Sequence, residues 1–181
     1  MNQKDLILLA IKGDKSALTS LIRQEENNIY TTLYYLKRDE NELSDIMQDV
    51  LLKFATKIKT LKNPIYFKTW LNRIIINSYY DYMRKYKRKS QILNEDESQN
   101  IPDSASSPLG GMIEKEMDFI IKKSILNLPN HYKIPIALRE IQGMSYEDIS
   151  AVTKISIGTV KSRIARARGL IKNEIFKYQN G

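Results

Sequence analysis

Residues 145–170 read SYEDISAVTKISIGTVKSRIARARGL, and the order of elements in this stretch decides the fold. Ser145, with Asp148 three residues on, forms a capping box in which each side chain satisfies a backbone N–H left free at a helix start. Tyr146, Ile149 and Val152 make the inner stripe of the helix that follows. A second helix starts within Ser156 to Thr159, and Val160, Ile164, Ala167 and Ile171 recur on one of its faces at helical spacing. Ser162, Ala165, Arg166 and Gly169 therefore point the other way, flanked by Lys161, Arg163 and Arg168, with no carboxylate between Ile149 and Asn173 to oppose them. Two short helices about a tight connection, the second basic on its outer face, are a helix-turn-helix. Its second helix suits the major groove: cations neutralise phosphate while Ser162 and Arg166 reach base edges. A solvated basic face is the plainer meaning of a charge run. The small outward residues Ser162, Ala165 and Gly169 favour DNA, because they let the helix approach a groove closely.

Working outward, the whole chain has 181 residues and a formal net charge of +8, an imbalance that favours a polyanionic partner, nucleic acid before a membrane surface. It has no cysteine, which removes disulfides and thiolate metal sites and suits a reducing compartment. The start, MNQKDLILLAIKGDKSAL, has a short apolar run broken by Lys12 and Asp14 and lacks signal-peptide architecture. No uninterrupted apolar stretch approaches membrane-spanning length. The expectation is a cytoplasmic protein with no direct membrane insertion.

Composition shifts once. Ser90 to Gly111, SQILNEDESQNIPDSASSPLGG, is rich in Ser, Asn, Asp, Glu, Pro and Gly, and reads as an acidic linker between two basic flanks. Strict two-residue alternation is missing on both sides, whereas helical periodicity is plain. The expected fold class is all-α: two small helical domains, residues 1–90 and 113–181, joined by a flexible linker over 91–112, the second domain a helix-turn-helix.

The N-terminal part carries two further features. Asp45 to Ile58, DIMQDVLLKFATKI, is a helix with a buried stripe of Ile46, Val50, Phe54 and Ile58. Its other face presents Asp45, Gln48, Asp49 and Leu52. A leucine amid acidic groups is what a protein-docking surface looks like, and equally what a single exposed leucine looks like. Asn63 to Lys89, NPIYFKTWLNRIIINSYYDYMRKYKRK, places Trp70, Leu71, Ile74 and Ile75 in a core stripe, then Tyr79, Tyr80, Tyr82 and Tyr86 among Arg84, Lys85, Lys87, Arg88 and Lys89. Rings stack on unpaired bases and cations track the backbone, the chemistry of single-strand binding. Trp70 at this spacing favours the core, and a basic run also suits a helix end.

With KDLILLAIKGDKSAL, SDIMQDVLLKF, FKTWLNRIIINSYYDYMRKYKR and LPNHYKIPIALREIQGMSYEDISAVTKISIGTVKSRIARAR in that order, nearly the whole chain resembles the extracytoplasmic function (ECF) group of bacterial RNA polymerase sigma factors. The resemblance implies docking of Asp45, Gln48, Asp49 and Leu52 on the β′ clamp of core RNA polymerase, with a further contact to the β flap. It implies capture of the unpaired −10 strand by Asn63, Tyr66, Phe67, Asn77, Tyr80, Arg84 and Lys85. It implies duplex recognition of the −35 element by Thr159, Lys161, Ser162, Arg163 and Arg166, and restraint by an anti-sigma factor. Three positions depart from the family pattern. Lys154 stands where a glycine is usual, so a lysine must take a left-handed conformation or the turn must differ. Ala165 replaces a larger side chain, and Ile76 a smaller one.

The lone His131 has no companions at ligand spacing, and neither a phosphate loop nor a nucleophile elbow is present, so no metal, no cofactor and no catalysis by this chain are expected. Two rival readings share the helix-turn-helix or the aromatic-basic segment. One is a two-domain transcriptional regulator that binds duplex unaided, the other a nucleic-acid enzyme or accessory factor that would need carboxylates near Tyr79 to Lys89, where Asp81 alone does not suffice.

Overall fold

The computed structural model describes residues 2–37, 39–93 and 112–180, without the side chains of 89–93 and 112–116. Among the described residues there are helices and no strands, in the order α1 (Gln3–Ile11), α2 (Lys15–Tyr34), α3 (Glu40–Lys57), α4 (Phe67–Leu93), α5 (Met112–Asn127), α6 (Asn130–Glu140), α7 (Tyr146–Thr153) and α8 (Ile157–Asn180). Two 3-10 turns, Ile58–Thr60 and Pro64–Tyr66, connect α3 to α4. This is the all-α architecture that the sequence predicts. Helix α4 runs on to Leu93 and α5 begins at Met112, so the ends of the expected linker are helical, and its residues 94–111 lie outside the described ones.

Local chemistry sets the helix starts. Asn2, Asp14 and Asp39 accept from the backbone N–H three residues on, at 2.9, 2.8 and 3.0 Å, and so cap α1, α2 and α3. Between α1 and α2 the chain turns at Gly13, whose φ of +97° suits a residue without Cβ. Apolar stripes then do the packing. Ala17, Leu21, Ile29 and Leu33 of α2 face Leu43, Ile46, Val50 and Phe54 of α3 and Leu71, Ile74 and Ile75 of α4. Glu25 falls on the same buried stripe of α2. It is held there by the amide groups of Gln3 and Asn28 at 2.7 and 2.9 Å, which satisfy a carboxylate that burial would otherwise penalise.

In the C-terminal half, α5, α6 and α7 all pack against α8. Their core is Ile134, Ile136, Ala137, Leu138, Ile149, Val152, Val160, Ile164 and Ala167. The two halves also pack on each other: α7 crosses α4, and the buried residues of both form one continuous cluster. Separate bodies on a tether are the sequence expectation; the closed contact between them is an addition that the structure supplies.

Candidate nucleic-acid interface

The first site lies where α3 meets α4. Helix α3 is amphipathic, and with Ile46, Val50 and Phe54 buried its other face presents Asp45, Gln48, Asp49 and Leu52. Leu52 is 63 % exposed, so it joins no core of this chain. One turn beyond Asp49 on the same helix, Lys53 reaches over to α4: its Nζ contacts Asp49 Oδ2 at 2.7 Å, Asp81 Oδ2 at 3.0 Å and Ser78 Oγ at 3.1 Å. Asp81 in turn accepts from Arg84. Burial would raise the Asp49 carboxyl, but hydrogen bonds from Lys53 and Ser78 outweigh it and hold the pKa below the ordinary value. The hydrogen bond from Lys53, then that from Arg84, lowers Asp81 likewise. Burial would lower Lys53, and its two carboxylates more than reverse this.

Beside this network opens a cleft of about 480 Å³ lined by Lys53, Lys57, Ile74, Asn77, Tyr80, Asp81 and Arg84. Three of the expected strand-binding residues, Asn77, Tyr80 and Arg84, thus share one cavity. It offers an exposed amide, a phenol ring edge and cations, the groups that bind a base and its phosphate. Lys53, Lys57 and Asp81 are members that the sequence reading did not assign to the site. The signal for Lys53 and Lys57 was their spacing after Asp49 on α3, four residues apart, which stacks the three on one face; Asp81, on α4, had no such signal.

The other expected strand residues lie apart from the cleft. Asn63 caps the second 3-10 turn by accepting from the Ile65 N–H at 3.0 Å, and that turn holds out Tyr66, 62 % exposed. Phe67 is a correction: only 5 % exposed, it packs against Trp70 and Phe54 with ring centroids 6.0 and 5.8 Å away, and so supports the loop and offers no face to a base. Of the four clustered tyrosines, Tyr79 is buried and donates to Asn130 Oδ1 at 2.8 Å. Burial, chiefly, pushes its phenol up to about 12. Tyr82 and Tyr86 stack on each other near Lys37, on the side towards the start of α3. Tyr80 alone of the four lines the cleft. Lys85 is exposed on the same helix.

The second site is the helix-turn-helix of α7 and α8. Ser145 Oγ accepts from the Asp148 N–H at 3.0 Å, as the capping box requires. The reciprocal half differs. The Asp148 carboxylate takes the Ser145 hydroxyl at 2.8 Å and the Thr69 hydroxyl at 2.9 Å, and so spends itself on side chains instead of on the Ser145 N–H. Lys154 ends α7 at φ 58°, ψ 34°, in the left-handed conformation expected of a residue standing in a glycine's place. Ser156 Oγ then accepts from the Thr159 N–H at 3.2 Å and starts α8.

On α8, Val160, Ile164 and Ala167 are buried, while Lys161, Ser162, Ala165, Arg166 and Gly169 are exposed. Thr159 and Arg163 are half-buried. Arg163 lies close enough to Tyr80 to oppose, with its charge, the upward push that burial gives that phenol. Lys161 leans over the Tyr146 ring at 5.7 Å. Arg168 is committed elsewhere, bonded by Nε and Nη2 to Glu140 Oε1 at 3.1 and 2.6 Å. Among the described residues no group of acidic, histidine or cysteine side chains is arranged to hold a metal, and no helix is long and apolar enough to cross a membrane.

Comparison with known proteins bears on both sites. The model of Sigma-70 region 2 matches residues 21–89, which hold the cleft and the acidic face, and that of Sigma-70, region 4 matches residues 119–171, which hold the helix-turn-helix. The ECF RNA polymerase sigma-E factor of Haemophilus influenzae is 34% identical over 172 residues, covering 91% of this chain and 90% of that protein. In fold the chain is similar to the sigma factor RpoE from Bartonella quintana, seen in complex with the anti-sigma factor NepR (TM-score 0.73, 24% identity, 87% of this chain and 95% of that one). It is similar also to CnrH in complex with the cytosolic domain of CnrY (TM-score 0.69, 20% identity, 97% of each chain). With a relative this near in sequence over nearly its full length, and with both family regions in their proper order, the chain belongs to the ECF group of the sigma-70 family of RNA polymerase sigma factors.

Proposed function

We propose that this sigma factor binds core RNA polymerase through the free face of α3 and selects promoters by holding two DNA elements in two forms. The −35 element is read as duplex by α8, with Arg166 and Ser162 at base edges and Thr159, Lys161 and Arg163 on the backbone. The −10 element is held as an unpaired strand at the α3–α4 cleft, with Tyr66 and Asn63 on the adjoining loop and Lys85 along α4. The functional domains are residues 1–90 and 113–181, joined over 91–112, and the work is done in the cytoplasm. The observation that carries this reading is the adjacency on α3 and α4 of an exposed leucine in an acidic face and a cleft lined by Lys53, Lys57, Arg84, Asn77 and Tyr80.

The physical logic is one of linkage. Phosphate contacts position and base contacts specify, and a base extruded from the stack shows edges that pairing hides. Each contact can be weak alone, because the second is made at the high effective concentration that a tether provides. The β′ clamp is the partner for Asp45, Gln48, Asp49 and Leu52, and the β flap a partner for the C-terminal half. An anti-sigma factor restrains the chain, in keeping with the complex in which the RpoE relative was seen. Chemistry belongs to the polymerase.

The test is transcription in vitro with core RNA polymerase and a promoter library, together with co-elution of chain and core enzyme. Asp49→Lys and Leu52→Asp should each weaken co-elution at least tenfold. Unchanged binding by both variants rejects the docking face. A chain that binds duplex tightly unaided and ignores core polymerase is instead a two-domain regulator.

A further inference from the structure

Lys53 lines the cleft, yet its charge is already engaged. An ammonium group has three donors, and here each has an acceptor: Asp49 Oδ2 at 2.7 Å, Asp81 Oδ2 at 3.0 Å and Ser78 Oγ at 3.1 Å. The two carboxylates differ in place. Asp81 belongs to α4 and is part of the cleft wall, whereas Asp49 lies one turn back along α3, outside that wall.

The other cations of the cleft are Lys57 and Arg84, and Arg84 pairs with Asp81. Through its bond to Lys53, a carboxylate on the free face of α3 thus lowers the positive charge that the cleft can offer to a phosphate. Neither bond is locked in by burial. The side chains of Asp49 and Asp81 are 42 and 39 % exposed, and pairs that water reaches give way to a competing charge at small cost. The flexible four-carbon stem of lysine lets its head turn within the cleft while α3 stays in place.

We infer that Lys53 is a phosphate-holding residue of the cleft, that Asp49 masks it in the free chain, and that a cation docking on Asp49 releases it to the strand. This rests on the reading of α3 and α4 given above. The face that carries Asp49 also carries Asp45, and complementarity calls for a partner with positive charge there. Such a partner competes with Lys53 for Asp49, while a phosphate competes with Asp49 for Lys53. By linkage each event favours the other to the same degree. A lysine that merely ties α3 to α4 would leave strand binding indifferent to Asp49.

The test is fluorescence anisotropy of a labelled single-stranded DNA oligonucleotide of mixed sequence, titrated with the full chain. Asp49→Ala should bind it at least about fivefold more tightly than wild type, the low end of ordinary coupling. One more counterion is then released, so the slope of log affinity against log salt should steepen by about 0.7. Glu40→Ala removes the same charge from the first turn of α3. That site lies about 20 Å from Lys53 at 1.5 Å per residue, beyond the screening length of about 8 Å, so both readings should stay as in wild type. In a Lys53→Met background, Asp49→Ala should bring no gain. Docking should act as the substitution does: saturating core RNA polymerase should raise strand affinity at least about fivefold more in wild type than in Lys53→Met. An Asp49→Ala chain that binds like wild type overturns the masking. So does a gain that Glu40→Ala reproduces or that survives Lys53→Met, since bulk charge then accounts for it, and so do equal gains on polymerase. If neither wild type nor Asp49→Ala holds the strand, free or on polymerase, the strand reading itself fails and takes the masking with it.

Discussion

Lys154 takes a backbone conformation that costs an L-residue roughly 1 kcal/mol, and the turn is held by its N–H on the Ser150 carbonyl and by the Ser150 hydroxyl on the Ile155 carbonyl, at 2.8 and 2.6 Å. Lys154→Gly should therefore raise stability, by less than about 1 kcal/mol because glycine also loosens the unfolded chain; urea denaturation measures it. Position 154 stood out because the family pattern has a glycine there, which posed the choice between a left-handed lysine and a different turn, and the structure takes the first. Phe67 was not legible, since one aromatic beside a Pro-containing loop can turn in or out, and the choice depends on Phe54 thirteen positions earlier. Tyr66→Ala and Phe67→Ala separate the two outcomes. The first should leave stability within about 0.5 kcal/mol and weaken strand capture by about 1–3 kcal/mol, the worth of one base–ring stack. The second should cost about 3–5 kcal/mol of stability. Equal destabilisation by both would mean that Tyr66 is structural.

At the scale of elements, α3 and α4 are joined at their polar edges by Lys53, which sits between Asp49 on the free face of α3 and the cleft carboxylate Asp81. Both carboxyls have pKa values below the ordinary 3.8. Groups depressed on folding contribute stability above their unfolded pKa and lose it as pH falls through the folded one. The network should thus matter at neutral pH and fade below about pH 4. Lys53→Met should cost under about 1 kcal/mol at pH 7, since both carboxylates that it pairs with are more than a third exposed, and the difference from wild type should shrink in acid. Carboxyl titration by NMR should show Asp49 and Asp81 moving up in the variant. Static midpoints would refute the network. On α8 the expected effect is of another kind: Arg166→Ala should cut discrimination among upstream elements by about 1–3 kcal/mol per base pair read, while Tyr80→Ala should mainly slow duplex opening. Individual helices and their buried stripes were readable because each repeats a local period. The bridge from Lys53 to Asp81, 28 residues long in sequence, has no period to betray it.

For the whole molecule, the all-α fold class followed from helical periodicity on both sides of the linker and the family from four segments in a fixed order, whereas the closure of one half on the other did not. Thr69 and Asp148 stand 79 residues apart, on either side of an acidic, Pro- and Gly-containing stretch, and each had a sufficient local role as an exposed threonine or a capping carboxylate. Because both halves share one buried cluster, urea should unfold the wild-type chain in a single transition by far-UV circular dichroism. Ile76→Glu should split it into two, and a split already present in the wild type would show that the halves are energetically independent. One more consequence lies in where the helices stop. From Leu93 at the end of α4 to Met112 at the start of α5 the backbone has about nineteen residue steps, each reaching at most about 3.6 Å, so these two points can never part by more than about 70 Å. The chain is a ruler with a fixed maximum. Promoters whose spacer is lengthened by a full helical turn keep the same face towards the protein yet demand about 34 Å more reach, and they should fall silent where small changes of spacing are tolerated.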